Sequence, residues 1–383
     1  MAKKAAALIL AGGLGKRMKS STPKILQEIG NKKMILHVID SCLRAKINNI
    51  TVILGNNKDL IEPYLPKNVS IVIQKKPLGT ANAITEAKTK FVKYSGKLII
   101  LYADVPFIKS NTIKNLVNSS EKNINLLGFK TENPLGYGRI RLEGNAIKEV
   151  IEEKEADLES RKIKLCNSGI FSGKAKEIFN LLSKVRKSSL SQEYLLTDIN
   201  KIAYKNRRPI RLKMVKEEEV FGVNNNQQLA KAEEIFQKNM RDTLIKKGVK
   251  LLAPSTISFS HDTKISNNVK IGANNSFGEG VIIKENVEIG HGCSITNTYI
   301  EKESVIGPLC RLRQNTKIGK SAKIGNFVEI KNSTIKDNAK VNHLSYIGDA
   351  IVGKHTNIGA GTITCNYDGK NKNKTFIGDR VFI

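Results

Sequence analysis

The chain has 383 residues, enough for two or more domains, and it carries a formal net charge of +29. Its lysines are scattered, aromatic residues make up only 5% and tryptophan is absent, which argues against nucleic-acid binding as the main function because bases would find few stacking partners. No apolar run approaches the ~20 residues of a membrane span, and the cysteines form no CxxC pair, so we expect a cytoplasmic chain with reduced thiols and no membrane partner.

Short apolar runs alternate with longer amphipathic stretches over the first half of the chain. The start of the chain has some features of a signal peptide, but Lys16 and Arg17 stand where a cleavage site needs small residues, so a buried first strand fits better. The βαβα order predicts a mixed, mostly parallel sheet of the Rossmann-like α/β class, with ligands at the carboxyl ends of its strands. The predicted elements are strand Ala6–Leu10, helix Met34–Ala45, strands Thr51–Leu54 and Ser70–Ile73, helix Thr80–Phe91 and strand Lys97–Tyr102.

Beyond a predicted helix over Asn226–Lys247, aliphatic or aromatic residues recur at every sixth position. This period is typical of a left-handed parallel β-helix built from hexapeptide repeats, in which each hexad forms one face of a triangular coil. The repeated side chain points inward, and we expect the glycine that often follows it to permit the turn. We therefore predict a domain over 1–225, a helical linker over 226–248 and a β-helix over 249–383. The recurring positions are Ile265, Ile271, Phe277, Ile283, Ile289, Ile295, Ile300, Ile306, Leu312, Ile318, Ile324, Ile330, Ile335, Val341, Ile347, Val352 and Ile358.

A glycine-rich loop follows the first predicted strand, with the sequence Leu10-Ala-Gly-Gly-Leu-Gly-Lys-Arg-Met18. Its glycines let successive backbone N–H groups point at a phosphate, and its two basic residues add positive charge. The loop has neither the GxxxxGK[ST] pattern of a P-loop nor the third glycine of the dinucleotide fingerprint. Taken alone, it is as compatible with a simple turn as with a phosphate site.

The continuation of this loop into Pro23-Lys24 resembles the motif of the sugar-1-phosphate nucleotidyltransferases. Strings in both halves of the chain then resemble one family, the bacterial bifunctional N-acetylglucosamine-1-phosphate uridyltransferase / glucosamine-1-phosphate acetyltransferases, over essentially the whole chain. These strings are Leu78-Gly-Thr-Ala81, Leu101-Tyr-Ala-Asp104-Val-Pro, Gly136-Tyr-Gly-Arg139, Asn167-Ser-Gly169, Gly222-Val-Asn224-Asn225, Arg311-Leu-Arg313, His343-Leu-Ser-Tyr346 and the stretch from Asn357 to Gly369.

The resemblance implies Mg²⁺-dependent transfer of UMP from UTP to N-acetylglucosamine-1-phosphate, a reaction dominated by charge neutralisation and alignment. Asp104 and Asn224 would hold Mg²⁺, and Arg17 and Lys24 would act on the triphosphate. Each role has a plainer alternative, since Asp104 could be a turn residue, Asn224 a helix cap and Glu152 one charge of an acidic run. The implied nucleotide-binding residues are Leu10, Ala11, Gly12, Gly13, Lys24, Gln74, Gly79, Thr80 and Tyr102, and the implied sugar-binding residues are Gly138, Glu152, Asn167 and Thr197.

For the β-helix, the resemblance implies acetylation of glucosamine-1-phosphate by acetyl-CoA. His343 would take the proton of the attacking amine, a role that suits an imidazole because it titrates near neutrality. Its plainer alternative is a structural histidine of the coil. The implied sugar-phosphate ligands are Arg313, Lys331, Tyr346, Asn357 and Lys372, and the implied acetyl-CoA ligands are Asn366 and Tyr367.

Several positions depart from the family pattern and widen the alternatives. Pro77, Leu195 and Phe221 replace other residue types, so base or sugar selectivity could be altered. The chain ends at Ile383 within a hexad, and we expect the acetyl-CoA site to be incomplete and the second activity impaired. The resemblance also implies a homotrimer through the β-helix. The alternative is a monofunctional nucleotidyltransferase for another sugar phosphate, with the β-helix as a trimerisation scaffold; a polyanion-binding protein is supported by net charge alone.

Overall fold

The computed structural model describes residues 4–13, 16–120 and 123–383, with the backbone alone at Lys16. The chain divides into two compact units. The first runs to Glu28 and resumes over Lys33–Ala232, and the second comprises Ile29–Lys32 and Glu233–Ile383.

The first unit is built on a mixed sheet of nine strands. The strands up to residue 214 are β1 (Ala5–Leu10), β2 (Glu28–Ile29), β3 (Lys32–Lys33), β4 (Asn49–Leu54), β5 (Ser70–Ile73), β6 (Lys97–Tyr102), β7 (Asn125–Lys130), β8 (Arg139–Glu143), β9 (Ala146–Ile151), β10 (Leu165–Lys174) and β11 (Arg211–Met214). The main path of the sheet is β11-β7-β10-β6-β1-β4-β5, and β8 pairs with β10 and β9 off this path. The strands β6, β1, β4 and β5 are parallel, whereas β10 runs antiparallel to β6 and β7. The predicted sheet is thus confirmed.

Helices cover both faces of this sheet, because each carries an apolar stripe at helical spacing, such as Ile35, Val38, Ile39 and Cys42, which are all fully buried. The prediction of one helix over Thr80–Phe91 is wrong. A tight turn at Ala87, where the N–H bonds to Ile84 O at 3.1 Å, splits it in two. The helices are α1 (Met34–Arg44), α2 (Lys58–Ile61), α3 (Thr80–Glu86), α4 (Lys88–Phe91), α5 (Ser110–Asn118), α6 (Leu158–Arg161), α7 (Ala175–Leu182), α8 (Asp198–Lys205) and α9 (Asn226–Lys246).

The second unit is a parallel β-helix with three flat faces. Every third strand belongs to the same face, and the chain advances one coil between partners such as Ile271 and Ile289. Each recurring apolar residue predicted to point inward is buried, so the hexad pattern is confirmed. The strands are β12 (Lys250–Leu251), β13 (Ser258–Phe259), β14 (Lys264–Ile265), β15 (Lys270–Ile271), β16 (Ser276–Phe277), β17 (Ile282–Ile283), β18 (Glu288–Ile289), β19 (Ser294–Ile295), β20 (Thr298–Ile300), β21 (Val305–Ile306), β22 (Arg311–Arg313), β23 (Thr316–Ile318), β24 (Lys323–Asn326), β25 (Glu329–Lys331), β26 (Thr334–Ile335), β27 (Lys340–His343), β28 (Tyr346–Gly348), β29 (Ala350–Val352), β30 (Asn357–Ile358) and β31 (Thr375–Ile377).

Most of the glycines that follow the recurring residues have a different role from the expected one, although Gly307 has the left-handed φ of 82° that a turn requires. A Cβ on Gly325 would lie 1.8 Å from the backbone oxygen of Asn342, so this glycine is needed because the next coil approaches closely. Asparagine is the commonest residue at the left-handed corners, because it tolerates this conformation better than most side chains. Asn268, Asn286 and Asn338 have φ of 57°, 59° and 60°.

In the part of the chain that the structure describes, no helix is both long and apolar enough to cross a membrane.

Candidate active sites

In the first unit, the carboxyl ends of β1 and β6 lie side by side and carry the first candidate site. Leu10 pairs in register with Tyr102, and the N–H of Ala103 donates to Leu10 O at 3.0 Å. Asp104 follows at once, and its carbonyl accepts a bond of 2.9 Å from the N–H of Val223. This last bond brings Asn224, 120 residues later in the chain, to the same edge of the sheet.

Two cations and two side-chain oxygens meet at this edge. Lys24 forms an ion pair with Asp104, and its Nζ also donates to Asn224 Oδ1 at 3.1 Å. Arg17 donates to the same oxygen at 3.1 Å. Only 11% of the Lys24 side chain and 20% of the Asp104 side chain are exposed, so the charges face each other with little water between them.

This cluster also settles what the side chain of Asn224 contacts. The capping contact at the start of α9 is made by its neighbour Asn225, whose Oδ1 accepts from the N–H of Gln228 at 2.8 Å. The Oδ1 of Asn224 instead lies against Lys24 and Arg17. A carboxylate and an amide oxygen gathered around one positive charge are the hard donors that Mg²⁺ prefers, so the residues present fit such an ion. The described residues contain no group of three or more His, Cys, Asp or Glu side chains that could hold a metal, so further ligands would come from phosphates and water.

The glycine-rich loop begins beside this cluster. The N–H of Ala11 donates to Ile53 O at 2.9 Å, which extends the sheet by one residue. A Cβ on Gly12 would lie 3.1 Å from the side-chain oxygen of Gln74, so the glycine allows that side chain to approach, while Gly13 faces open space. Leu14, Gly15 and the side chain of Lys16 lie outside the described residues.

Gln74 connects the loop to the segment predicted to hold the base. Its Nε2 donates to Gly79 O at 3.1 Å and to Asn82 Oδ1 at 3.0 Å. Gly79 has φ of 110°, and a Cβ there would lie 2.5 Å from Tyr194 O, so no other residue fits without a backbone shift. The hydroxyl of Thr80 accepts from the N–H of Leu196 at 2.9 Å.

A half-buried carboxylate marks the part of the site predicted to hold the sugar. Glu152 accepts a hydrogen bond of 2.8 Å from Thr197 Oγ1, and burial raises the pKa of its carboxyl. A Cβ on Gly138 would lie 3.3 Å from Glu152 and 3.6 Å from the side-chain nitrogen of Asn167, so these predicted residues converge. Tyr102 lies beside them, and its pKa is raised by burial and by the nearby Glu152 and Asp104 carboxylates.

Sequence reasoning missed the residues that hold this wall in place. The buried Arg139 donates to the carboxylate of Glu153 and to the carbonyl of Tyr137, and thereby ties the segment before Gly138 to the one after Glu152. Arg139 stood inside a matching string, but spacing alone does not distinguish a ligand from the residue that positions it.

The second unit carries the second candidate site on neighbouring coils. His343 pairs in register with Asn326, and its Nδ1 lies 2.8 Å from Asn326 Oδ1. An amide oxygen accepts a hydrogen bond, so this contact suits the imidazole protonated at Nδ1 and leaves Nε2 able to accept a proton. Asn326 was not among the residues predicted from the sequence.

Basic and aromatic groups line the adjacent face. Arg313 pairs in register with Lys331, and its Nε donates to Glu329 Oε1 at 2.6 Å. The ring of Tyr346 extends over Gly348, whose Cβ would lie 2.5 Å from the tyrosine hydroxyl, and Gly348 is the register partner of Lys331. The predicted Arg313, Lys331 and Tyr346 are therefore brought together, and Glu329 joins them although it was not predicted from the sequence.

The remaining predicted residues of this unit make more distant or structural contacts. Asn357 pairs in register with Lys340, at the other end of the strand from His343. Asn366 donates to the carboxylate of Asp349, and Tyr367, 60% exposed, donates from its hydroxyl to Gly369 O at 2.7 Å. The backbone of Lys372 forms an antiparallel bridge with that of Tyr367.

Comparisons with known proteins agree with this two-part organisation. Residues 7–152 match the family profile of the MobA-like NTP transferase domain, 262–297 match the bacterial transferase hexapeptide (six repeats) and 294–383 match the GMPPB C-terminal domain. The chain is 40% identical to the "Bifunctional protein GlmU" of Zymomonas mobilis, over 98% of its own length and 86% of the relative's.

Two further relatives carry the same name. The protein of Wolbachia pipientis is 40% identical over 98% of this chain and 87% of its own length, and that of Azorhizobium caulinodans is 36% identical over 98% and 85%. Identity at this level over nearly the whole of both chains means that the two halves and their order are shared. The chain therefore belongs to the GlmU family of bifunctional proteins.

Proposed function

We propose that the first unit catalyses transfer of UMP from UTP to N-acetylglucosamine-1-phosphate, giving UDP-N-acetylglucosamine and pyrophosphate. The observation that carries this proposal is the convergence of Asp104, Asn224 and Lys24 at the carboxyl edge of the sheet, next to the Glu152–Thr197 pair. The charged cluster suits the phosphates of the substrates, and the Glu152–Thr197 pair suits the polar groups of the sugar.

The sugar phosphate oxygen attacks the α-phosphorus of UTP, and the bond to the pyrophosphate oxygen breaks as the new P–O bond forms. Lys24 and Arg17 hold positive charge where the triphosphate binds, and this charge offsets the negative charge that develops on the departing pyrophosphate. Asp104 and Asn224 would hold Mg²⁺, which neutralises phosphate charge when bound. The backbone of Gly12 and Gly13 is free of side chains that would keep phosphates at a distance.

At the other end of the site, Glu152 accepts hydrogen bonds from the hydroxyl or amide groups of the sugar. Thr197 fixes the carboxylate through its hydroxyl, and Gly138 and Asn167 complete the wall. Gln74, Gly79 and Thr80 bind the uracil base, held by their contacts with Asn82, Tyr194 and Leu196. Binding of the uracil of UTP at one end and of the sugar at the other aligns the attacking sugar phosphate oxygen with the α-phosphorus between them.

The test is pyrophosphate release from UTP, N-acetylglucosamine-1-phosphate and Mg²⁺. Asp104→Asn should abolish most of the activity, whereas Asp242→Asn, an exposed carboxylate on α9, should leave it intact. Glucose-1-phosphate serves as the competing substrate. Equal turnover with both sugar phosphates would favour the alternative of a nucleotidyltransferase for another sugar, and unchanged activity in Asp104→Asn would refute the proposed metal site.

We also propose acetyl transfer from acetyl-CoA to glucosamine-1-phosphate in the second unit, because Asn326 orients His343 and another face of the same β-helix carries Arg313, Lys331 and Tyr346. The amine nitrogen attacks the thioester carbonyl, the C–S bond breaks, and His343 passes the amine proton to the departing thiolate. The basic residues hold the sugar phosphate, and Asn366 and Tyr367 contact the acetyl-CoA. Thiol release that disappears in His343→Ala would support this activity, and no release from the wild-type chain would contradict it.

The β-helix also assembles the chain as a homotrimer in this proposal, with domains over 1–225 and 249–383 joined by the helix between them. Analytical ultracentrifugation of the chain and of residues 1–225 tests both the homotrimer and the proposed domain boundary. A trimer that becomes a folded monomer after removal of 226–383 is expected. A trimer formed by residues 1–225 alone would overturn the assignment of assembly to the β-helix.

A further inference from the structure

A cavity lies in the first unit at the amino end of strand β6, whereas the candidate active site lies at its carboxyl end. It encloses about 1170 Å³ between the segment 206–213, helix α7 and the end of β10. Lys174, which lines it, pairs in register with Lys97 at the start of β6, whereas Tyr102 ends the same strand at the other edge. A strand of this length spans roughly 17 Å at ~3.3 Å per residue, so the cavity is separate from the proposed reaction site.

The lining of this cavity is strongly basic. Among the described residues of the lining, the carboxylates are Glu143 and Glu177, and Glu143 already accepts hydrogen bonds from Lys148 and Tyr204. Lys174 is also already partnered, so binding of an anion depends on the arginines. In the described part of the chain, Arg207, Arg208 and Arg211 make no ion pair. Like charges gathered around a concave surface repel each other and attract an anion. The six cationic residues of the lining are Lys174, Lys184, Arg207, Arg208, Arg211 and Lys213.

The backbone at Arg207 determines which substitution leaves the fold intact. Helix α8 ends at Lys205, and Arg207 has φ of 55°, a left-handed conformation that glycine adopts at lower cost. Glycine at this position therefore removes the guanidinium without straining the turn. Lys46 has φ of 64° just beyond α1 and is also exposed, which makes it a matched position away from the cavity.

The shape and chemistry of the cavity narrow the class of ligand. Arginine binds phosphate oxygens through two parallel N–H groups. The volume of about 1170 Å³ lies just above the roughly 300–1,000 Å³ of usual small-molecule sites, so the open cavity has room for a small molecule. The floor includes the apolar Ile124, Leu181 and Ile210, and no aromatic residue is among the described residues that line it, so stacking of nucleic-acid bases is disfavoured. We infer that this cavity binds a small molecule carrying two or more phosphate groups, independently of the function proposed above.

Isothermal titration calorimetry with inorganic tripolyphosphate tests this inference on the full chain, with EDTA and about 0.15 M salt to limit non-specific attraction. The test variant is Arg207→Gly/Arg208→Gln, which keeps a residue suited to the left-handed turn. The charge-matched control is Lys46→Gly/Lys67→Gln. We expect the test variant to bind at least about tenfold more weakly than the wild type, because two charge-assisted contacts are lost, while the control keeps wild-type affinity.

Thermal unfolding of the three proteins shows whether the fold is retained, and Arg207→Gly should not lower the midpoint. Equal affinity for tripolyphosphate in all three proteins would overturn the inference, since any binding would then lie elsewhere. A mixed-sequence oligonucleotide is the second probe. If it binds through Arg207 and Arg208 and tripolyphosphate does not bind, the cavity is a polynucleotide surface and the inference is wrong.

Discussion

The hydroxyl of Thr197 donates a hydrogen bond to Glu152 across 2.8 Å, and this contact holds a carboxylate that burial has made harder to ionise. Thr197 precedes helix α8 and Glu152 follows strand β9, so the pair joins two segments that are 45 residues apart in the chain. In the proposed reaction, this carboxylate is held ready for the sugar at a cost to the stability of the fold.

Glu152→Gln should therefore stabilise the chain in a pH-dependent way. Burial raises the pKa of Glu152 in the folded chain above its usual 4.5. The contribution of this carboxyl to stability is therefore fully present below about pH 4.5, and it is lost as the pH rises through the pKa of the folded state. Glutamine keeps an oxygen for Thr197 but cannot ionise. The free energy of unfolding, measured with urea, should be higher for Glu152→Gln than for the wild type at about pH 7 and equal for the two at about pH 4.

The comparison variant is Thr197→Val, which removes the bond that favours the ionised carboxylate. It should lose more stability at about pH 7 than at about pH 4. A pH-independent difference between Glu152→Gln and the wild type would show that this carboxyl is not perturbed by burial.

Lys24→Gln should separate metal binding from catalysis. The ammonium of Lys24 contacts both proposed metal ligands, Asp104 and Asn224, so its removal leaves their oxygens to the metal alone. We expect Mn²⁺, followed by electron paramagnetic resonance, to bind more tightly to the variant. We also expect pyrophosphate release to fall about 100-fold, because a preorganised positive charge is lost. Weaker Mn²⁺ binding in the variant would mean that Lys24 does not compete for this site.

Asn326→Ala should impair acetyl transfer without unfolding the β-helix. The amide of Asn326 fixes His343 through Nδ1, and loss of such a positioning contact typically costs about 10- to 100-fold in activity. Asn326→Asp keeps an oxygen acceptor and should restore part of the rate. Thiol release from acetyl-CoA and thermal midpoints are the measurements. Equal rates in Asn326→Ala and Asn326→Asp would show that orientation of the imidazole is not what Asn326 supplies.

Gly325→Ala should destabilise the β-helix severely. The added Cβ would lie 1.8 Å from the Asn342 carbonyl of the next coil, and overpacking that backbone cannot relieve costs about 3 kcal/mol or more. The control is Gly378→Ala, where the new Cβ would meet Val381 at an ordinary 3.7 Å. Chemical unfolding of the two variants should differ clearly, and equal stabilities would mean that the coils shift to accept a methyl group.

Periodic patterns in the sequence were sufficient for the fold of both units. The buried strands Ala5–Leu10 and Lys97–Tyr102 and the inward residues of the hexads were predictable, because burial on a regular element repeats with the period of that element. The break at Ala87 was not predictable, since the residues on either side continue the same helical pattern. Neither was the role of Gly325, because the close backbone comes from the next coil.

The sequence by itself determined the order of the elements, the residues that face each core and, by resemblance, most of the residues proposed for the two sites. Tertiary structure alone decided which of them meet. Lys24, Asp104 and Asn224 lie up to 200 residues apart. Asp104 follows β6, the hydrogen bond from the N–H of Val223 to Asp104 O brings Asn224 beside it, and the side chain of Lys24 contacts both. It also supplied Asn326, Glu329 and Arg139, whose roles depend on a side-chain contact across coils or strands that no spacing along the chain encodes.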